Sequence, residues 1–244
     1  MAEIPSSIFD ASCPADEALE KAIEATLLHD DDTGGWLIAW RESTGRHLIA
    51  SRWLDANELV FRECALVTAS ASSVGDEQMM ALAFAILNEP KDSAVHVLQH
   101  IPASASSASS HESWAHRMFK QYVLGDGGAP PGRVTASLER VTWALGVASL
   151  NMHSVSHPCR GVLGILSSMM EHSCEPSAIV EIGGSGGGSS TSSIMLTLRT
   201  TRAVAPGESL SICYVGYDLV KEERRRRLLF QHGFKCVCKR CGRV

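Results

Sequence analysis

The sequence predicts an α+β fold, with a helical region inserted between two strand-forming ends. Three observations predict it. Short apolar and β-branched runs bounded by turn residues cluster at 36–68 and return at 178–214. Between them lie longer apolar stretches with helical spacing. The chain then closes on a polar helix and a cysteine-rich tail. Strands at both ends with helices between them are satisfied when the two β regions pack together.

Each element has its own signal. Over 14–29, Pro14 suits a first turn, acidic residues follow it, and Leu19, Ile23 and Leu27 recur a turn apart, so a helix is expected. Asp30 to Asp32 and Gly34-Gly35 end it. WLIAW at 36–40 and RHLIA at 46–50 predict strands joined by a turn at Gly45, with further strands near 58–62 and 64–68. The run MMALAFAIL within 76–89 predicts a buried helix capped by Asp76 and stopped before Pro90. Residues 103–110 form a low-complexity loop, 112–124 an amphipathic helix, and GDGGAPPG at 125–132 a break. A long apolar helix is expected over 137–153. Strands near 178–182 and 194–200 flank the flexible tip GGSGGGSSTSS, and a last strand is expected at 209–214. A polar helix over 219–231 precedes the tail.

Composition narrows the function classes. At 244 residues the chain is one large domain or two small ones. No apolar run approaches the roughly twenty residues of a membrane span, and the first residues lack the basic and apolar regions of a secretory signal. An intracellular setting, cytoplasmic or nuclear, is therefore expected, with no membrane contact; the sequence does not set an oligomeric state, and a monomer is the default expectation. The net charge of −5 argues against a protein devoted to nucleic acid.

In a reducing compartment, clustered cysteines read as metal ligands. Cys236, Cys238 and Cys241 stand in FKCVCKRC with C-x-C-x-x-C spacing, and Cys174 stands in EHSCEPS. Zinc favours four thiolates at tetrahedral corners. The tail supplies three, and Cys174 is the natural fourth. Such a site has no open position, so it is expected to be structural. Cys13, Cys64, Cys159 and Cys213 are scattered and read as small buried hydrophobes.

These motifs carry a resemblance. EHSCEPS at 171–177, GESLSICY at 207–214, EERRRRLL at 222–229 and FKCVCKRC at 234–241 follow one another as in SET-domain protein lysine methyltransferases. The chain is most similar to the branch that also carries a MYND finger. TGRHLIASRWLDANELVFRE at 44–63 resembles the family's opening hairpin, and SLNMHSV at 149–155 a helix end that supplies an Asn. Neither the MYND finger nor the C-terminal helical repeats of that branch are present in this sequence.

The resemblance implies a SET-like fold, β-rich and built of small sheets. Its expected parts are an N-terminal helical extension over 1–35, a SET domain over 36–232 and a post-SET zinc-binding tail over 233–244. The SET domain would carry a helical insertion at about 74–150 and a flexible hairpin loop at 183–193. The implied activity is methyl transfer from S-adenosylmethionine to a lysine of a histone or another protein, with one structural zinc. The implied catalytic positions are Tyr214 and His232. The implied cofactor positions are Gly45, Arg46, Asn151, Glu171, His172, Tyr214 and Phe234. The metal positions are Cys174, Cys236, Cys238 and Cys241. Each also has a plainer reading: Gly45 as a turn, Asn151 as a helix end, His172 as a loop histidine, Phe234 as a core aromatic, Tyr214 as a half-buried strand residue.

Four positions depart from the family pattern. Glu171 and Ser177 replace asparagines, His47 replaces a glycine, and His232 stands where a second tyrosine lines the lysine channel. They motivate an alternative, a catalytically degenerate SET-like interaction scaffold stabilised by zinc. Arg224 to Arg227 read as a solvated helix face supported by Glu222 and Glu223. Contact with nucleic acid or an acidic partner is the runner-up.

Overall fold

The computed structural model describes residues 7–28, 34–98, 112, 116, 120, 136–184 and 194–242. The loop at 103–110, the break at 125–132, and most of the 112–124 helix and the 183–193 tip lie outside them. The chain divides into two compact units. The first comprises residues 1–66, 164–225 and 236–244, and the second 67–163 and 226–235. Among the described residues, no helix is long and apolar enough to cross a membrane.

In the first unit, α1 (Glu17–Thr26) starts at Asp16, whose carboxylate accepts from the Ala18 and Leu19 N–H groups. Pro14 therefore precedes the helix. Leu19 and Ile23 form its buried stripe. Strands β1 (Trp36–Arg41) and β2 (Gly45–Ala50) make an antiparallel hairpin, with Arg41 opposite Gly45. Gly45 has φ of 73°, which glycine alone adopts without steric cost. Strand β3 (Leu59–Cys64) lies on β9 (Ile194–Thr200), and β9 on β8 (Ala178–Gly184), all antiparallel. Ile38, Leu48, Phe61, Leu196 and Leu198 are fully buried.

Two short strands complete this unit. β7 (Glu171–His172) pairs with β10 (Ser211–Ile212) in parallel, with Glu171 opposite Ser211. The segment before β10 also bonds to the hairpin. Leu210 N–H donates to the Leu48 carbonyl, and Ala50 N–H to the Glu208 carbonyl. The GESLSICY segment thus bridges the opening hairpin and the EHSC segment.

Glu63 is the unit's unexpected residue. It is completely buried, and its carboxylate accepts from the backbone N–H groups of Ile165, Leu166 and Ser167, each at 2.9 Å.

The second unit contains β4 (Val67–Ser70), α2 (Asp76–Leu87), α3 (Leu138–Asn151), β5 (His153–Val155) and β6 (Arg160–Leu163). The strands form one antiparallel sheet in the order β4-β6-β5. Ser137 caps α3 as its hydroxyl accepts from Arg140 N–H. The N-cap of α2 is Gly75 with φ of 90°, not Asp76, which is already helical. Buried Gln78 ties the sheet to α2. Its amide donates to the Val155 and Arg160 carbonyls and accepts from the Ser154 hydroxyl. The last long helix, α4 (Lys221–His232), runs from the first unit's residues into the second's, and the short α5 (Lys239–Gly242) ends the described chain. The resulting α+β architecture of small sheets matches the sequence expectation. The strands missed by sequence are β5, β6 and β7, each of four residues or fewer. Windows that short carry little periodicity.

Candidate functional site

The four expected cysteines come together within the first unit. Their sulfurs all lie within 4.8 Å of one another. Cys174 Sγ is 3.9 Å from Cys236 Sγ and 3.5 Å from Cys241 Sγ. Four sulfurs at about 2.3 Å from a zinc ion are separated by about 3.8 Å, so the cluster fits a tetrahedral ion. Cys174, Cys236 and Cys241 are buried. Burial pushes the Cys174 thiol up and holds Cys236 at about 11. At Cys238, burial acts in the same direction, but hydrogen bonds from its Cys174, Cys236 and Cys241 neighbours outweigh it and bring it to about 7. A metal binding here must therefore displace protons.

The cluster touches the other motifs through His172. The Tyr214 backbone N–H donates to His172 Nδ1 at 3.1 Å. Nδ1 is thus an acceptor, which leaves the ring proton on Nε2 and aims it at Cys174 Sγ, 3.3 Å away. Burial first, and the Arg224 charge second, hold this imidazole down to about 4, so it is neutral at physiological pH.

Tyr214 lies just beyond β10, half-buried, with its ring centroid 5.2 Å from that of His172. Its hydroxyl donates to the Met170 carbonyl. Burial, and then the nearby Glu171 carboxylate, push its pKa above the ordinary phenol value. The phenol therefore keeps its proton. Its oxygen lone pairs can still accept from, and so orient, an incoming amine.

The hairpin end reaches the same place. Arg41 Nη1 donates to Glu171 Oε1 at 2.8 Å, and Gly45 faces Arg41 across the hairpin. Arg46 turns instead toward α1, pairing with Asp16. Gly45, Glu171, His172 and Tyr214 are thus drawn into one neighbourhood of the first unit. The remaining expected positions, Asn151, His232 and Phe234, belong to the second unit. Asn151 ends α3, with its side-chain amide donating to the Val147 carbonyl at 2.8 Å. The His232 and Phe234 ring centroids are 6.3 Å apart.

Two departures from the family pattern acquire structural accounts. His47 sits in β2 without a positive φ, so no glycine is required there, and its Nδ1 lies 3.2 Å from the Gly45 carbonyl. Ser177 is fully buried and forms a reciprocal pair with Ser211. Each backbone N–H donates to the other's hydroxyl, at 3.1 and 2.9 Å. This stitches the EHSCEPS loop to β10. Ser177→Ala is expected to cost about 1–2 kcal/mol, because it strands the buried Ser211 N–H. A urea titration that finds no change in midpoint would contradict that role.

The basic run meets the expectation of a solvated face at Arg226 and Arg227, which are exposed, and departs from it at Arg224. Arg224 is only 3% exposed and makes no solvated face. It points into the cysteine cluster.

Known proteins resemble this chain in sequence and in fold. The family model of the SET domain matches residues 45–215, well over half of the chain. The histone-lysine N-methyltransferase SMYD3 of Mus musculus is 36% identical over 74 residues, covering 30% of this chain and 15% of that protein. The histone-lysine N-methyltransferase SMYD1 of Homo sapiens is 29% identical over 123 residues, covering 46% of this chain and 25% of that protein. The chain thus spans a quarter or less of the length of these relatives. Among solved structures, the SET domain of LSMT bound to lysine and AdoHcy aligns with a TM-score of 0.64 at 13% identity, covering 90% of this chain and 56% of that one. Rubisco LSMT bound to AdoMet aligns with a TM-score of 0.56 at 15% identity, covering 91% of this chain and 57% of that one. At such identities the likeness is one of fold. The family match over residues 45–215, the shared fold and the four-cysteine cluster lead to one conclusion: this chain belongs to the SET-domain family.

Proposed function

We propose that this chain is a protein-lysine N-methyltransferase that uses S-adenosylmethionine and is braced by one structural zinc ion held by Cys174, Cys236, Cys238 and Cys241. The observation that carries the reading is the convergence on Tyr214. Its protonated phenol is fixed by the Met170 carbonyl, beside the His172 imidazole and next to Glu171. Bound S-adenosylmethionine supplies an electrophilic methyl group. The chain must then present a neutral lysine amine in line with it and exclude water.

The lone pairs of Tyr214 would accept from the amine and orient it. With its own proton committed to Met170 and its pKa raised, Tyr214 is not a proton acceptor. Gly45, whose backbone is open to approach, would contribute to the cofactor pocket with Glu171 and His172. Arg46, Asn151 and Phe234 remain proposed cofactor contacts, and His232 a proposed channel residue in place of tyrosine. The SMYD relatives are named as histone-lysine enzymes, which favours a lysine in a histone or another protein as the substrate class. Residues 233–244 would act as the post-SET tail of a SET domain spanning 36–232.

Calorimetry with S-adenosylmethionine, followed by a lysine-peptide array with labelled donor, tests the reading. Tyr214→Phe is expected to retain cofactor binding and to lose about tenfold or more in turnover, since only the orienting oxygen is removed. A wild-type protein that binds no S-adenosylmethionine would remove the enzyme reading. A second reading, an interaction scaffold, draws on the two internal ion pairs Arg41–Glu171 and Arg46–Asp16. They engage two charges that a cofactor pocket would otherwise use. A scaffold shows no thermal shift with S-adenosylmethionine yet loses stability with a chelator.

A further inference from the structure

We propose that Arg224 is a positioning residue of the metal centre. Its guanidinium bonds two of the four cysteine sulfurs and, with Arg225, balances the charge of the tetrathiolate. This inference rests on the zinc reading above.

A dication held by four thiolates leaves two net negative charges in a cluster with three of its four cysteines buried. Burying such charge without compensation is costly. The sequence offers compensation one helix away. α4 carries Arg224 and Leu228 one turn apart as buried positions, so its first arginine is directed inward. Arg224 Nε donates to Cys174 Sγ at 3.2 Å, Nη2 to Cys241 Sγ at 3.5 Å, and Nη1 to the Leu219 carbonyl at 2.5 Å.

A single planar fork thus spans the mid-chain loop and the tail. A lysine, with its point charge, cannot hold both sulfurs in fixed directions. Arg225 addresses the backbone of the same cluster, donating to the Cys236 carbonyl at 3.2 Å and the Cys241 carbonyl at 3.0 Å. Arg240 adds donors to the Cys174 and Tyr217 carbonyls. Cys174 Sγ, which also faces His172 Nε2, has two N–H neighbours beyond the metal. Outer donors of this kind orient ligands and set metal affinity.

The test uses the full chain as wild type, Arg224→Met, Arg224→Lys and Arg227→Met, the last being exposed on the same helix. Zinc affinity is read by chelator competition, and the thiolate environment by the charge-transfer absorption of cobalt-substituted protein. Arg224→Met is expected to weaken zinc binding about 10–100-fold. Its sulfur-to-cobalt band should move to lower energy, because N–H···S bonds stabilise the sulfur lone pairs. Arg224→Lys, which keeps the charge and not the fork, should fall between, and Arg227→Met should match wild type. If Arg224→Met does not fold, Arg224→Lys carries the test, and wild-type affinity with an unshifted band in that variant overturns the proposal. The same pair of results in a folded Arg224→Met overturns it too. Wild-type protein that holds no zinc and gives no cobalt–thiolate band overturns the metal reading itself, and this proposal with it.

Discussion

Cys174→Ser, or treatment of the wild type with a strong chelator, is expected to produce the largest loss of stability in this protein. A ligand present at a thousandfold excess over its dissociation constant stabilises the folded state by about 4 kcal/mol. For a chain of this size that corresponds to roughly 10 °C in thermal midpoint. The loss should be local before it is global. The last described residues, 236–242, are tied to the rest of the first unit by the cysteines and by the carbonyl contacts of Arg225. Without metal, the buried thiols revert to their protonated forms. The His172 Nε2–H then faces a thiol, a weaker acceptor than a thiolate. Differential scanning fluorimetry with and without chelator measures the effect, with Cys64→Ser as a control outside the cluster. A wild type whose midpoint ignores both chelator and added zinc would show that the cysteines pack simply as hydrophobes.

The cluster was the most legible part of the chain, for a physical reason. Metal ligation needs particular atoms at short range, and three of the four come from six consecutive residues. Spacing alone therefore carried most of the geometry. The hairpin and the long apolar helix were legible for a similar reason, as turn residues and periodicity act locally. What could not be read was which polar side chains turn inward. The four arginines look alike as a string. Only the helical phase set by Leu228 distinguishes Arg224 from the other three, and that phase is a weak signal in so polar a helix. The Arg41–Glu171 pair joins residues far apart in sequence, and no local pattern announces it. Ser177 looked like a defect in an Asn position, yet its reciprocal bonds with Ser211 give it a structural task of its own.

Glu63 is the second position where a single atom change should be costly. Strand alternation could have found it: Phe61 and Glu63 share the buried face of β3. Both carboxylate oxygens are occupied as acceptors, Oε2 by the Ile165 and Leu166 N–H groups and Oε1 by that of Ser167. Gly164 precedes this turn, and a Cβ there would stand 2.2 Å from Glu63 Oε1. The turn leads directly to Met170, whose carbonyl holds the Tyr214 hydroxyl. Glu63→Gln keeps the shape but turns one acceptor into a donor facing N–H groups. It should cost roughly 3 kcal/mol, the scale for lost charge-assisted bonds together with a stranded buried donor. Burial works against the carboxylate and raises its pKa, while the three N–H groups oppose that rise. The variant decides between them. A urea midpoint well below wild type at unchanged slope means that the three bonds dominate. Equal midpoints would mean that burial has won and that the wild-type side chain is already protonated, with Glu63 holding the turn as a neutral acid. In the first case Tyr214→Phe and Glu63→Gln should lose turnover by different routes: the former by removing the orienting oxygen, at a cost of about 1 kcal/mol for its one bond to the Met170 carbonyl, the latter through a loosened turn that lets the Met170 carbonyl drift from the phenol it holds.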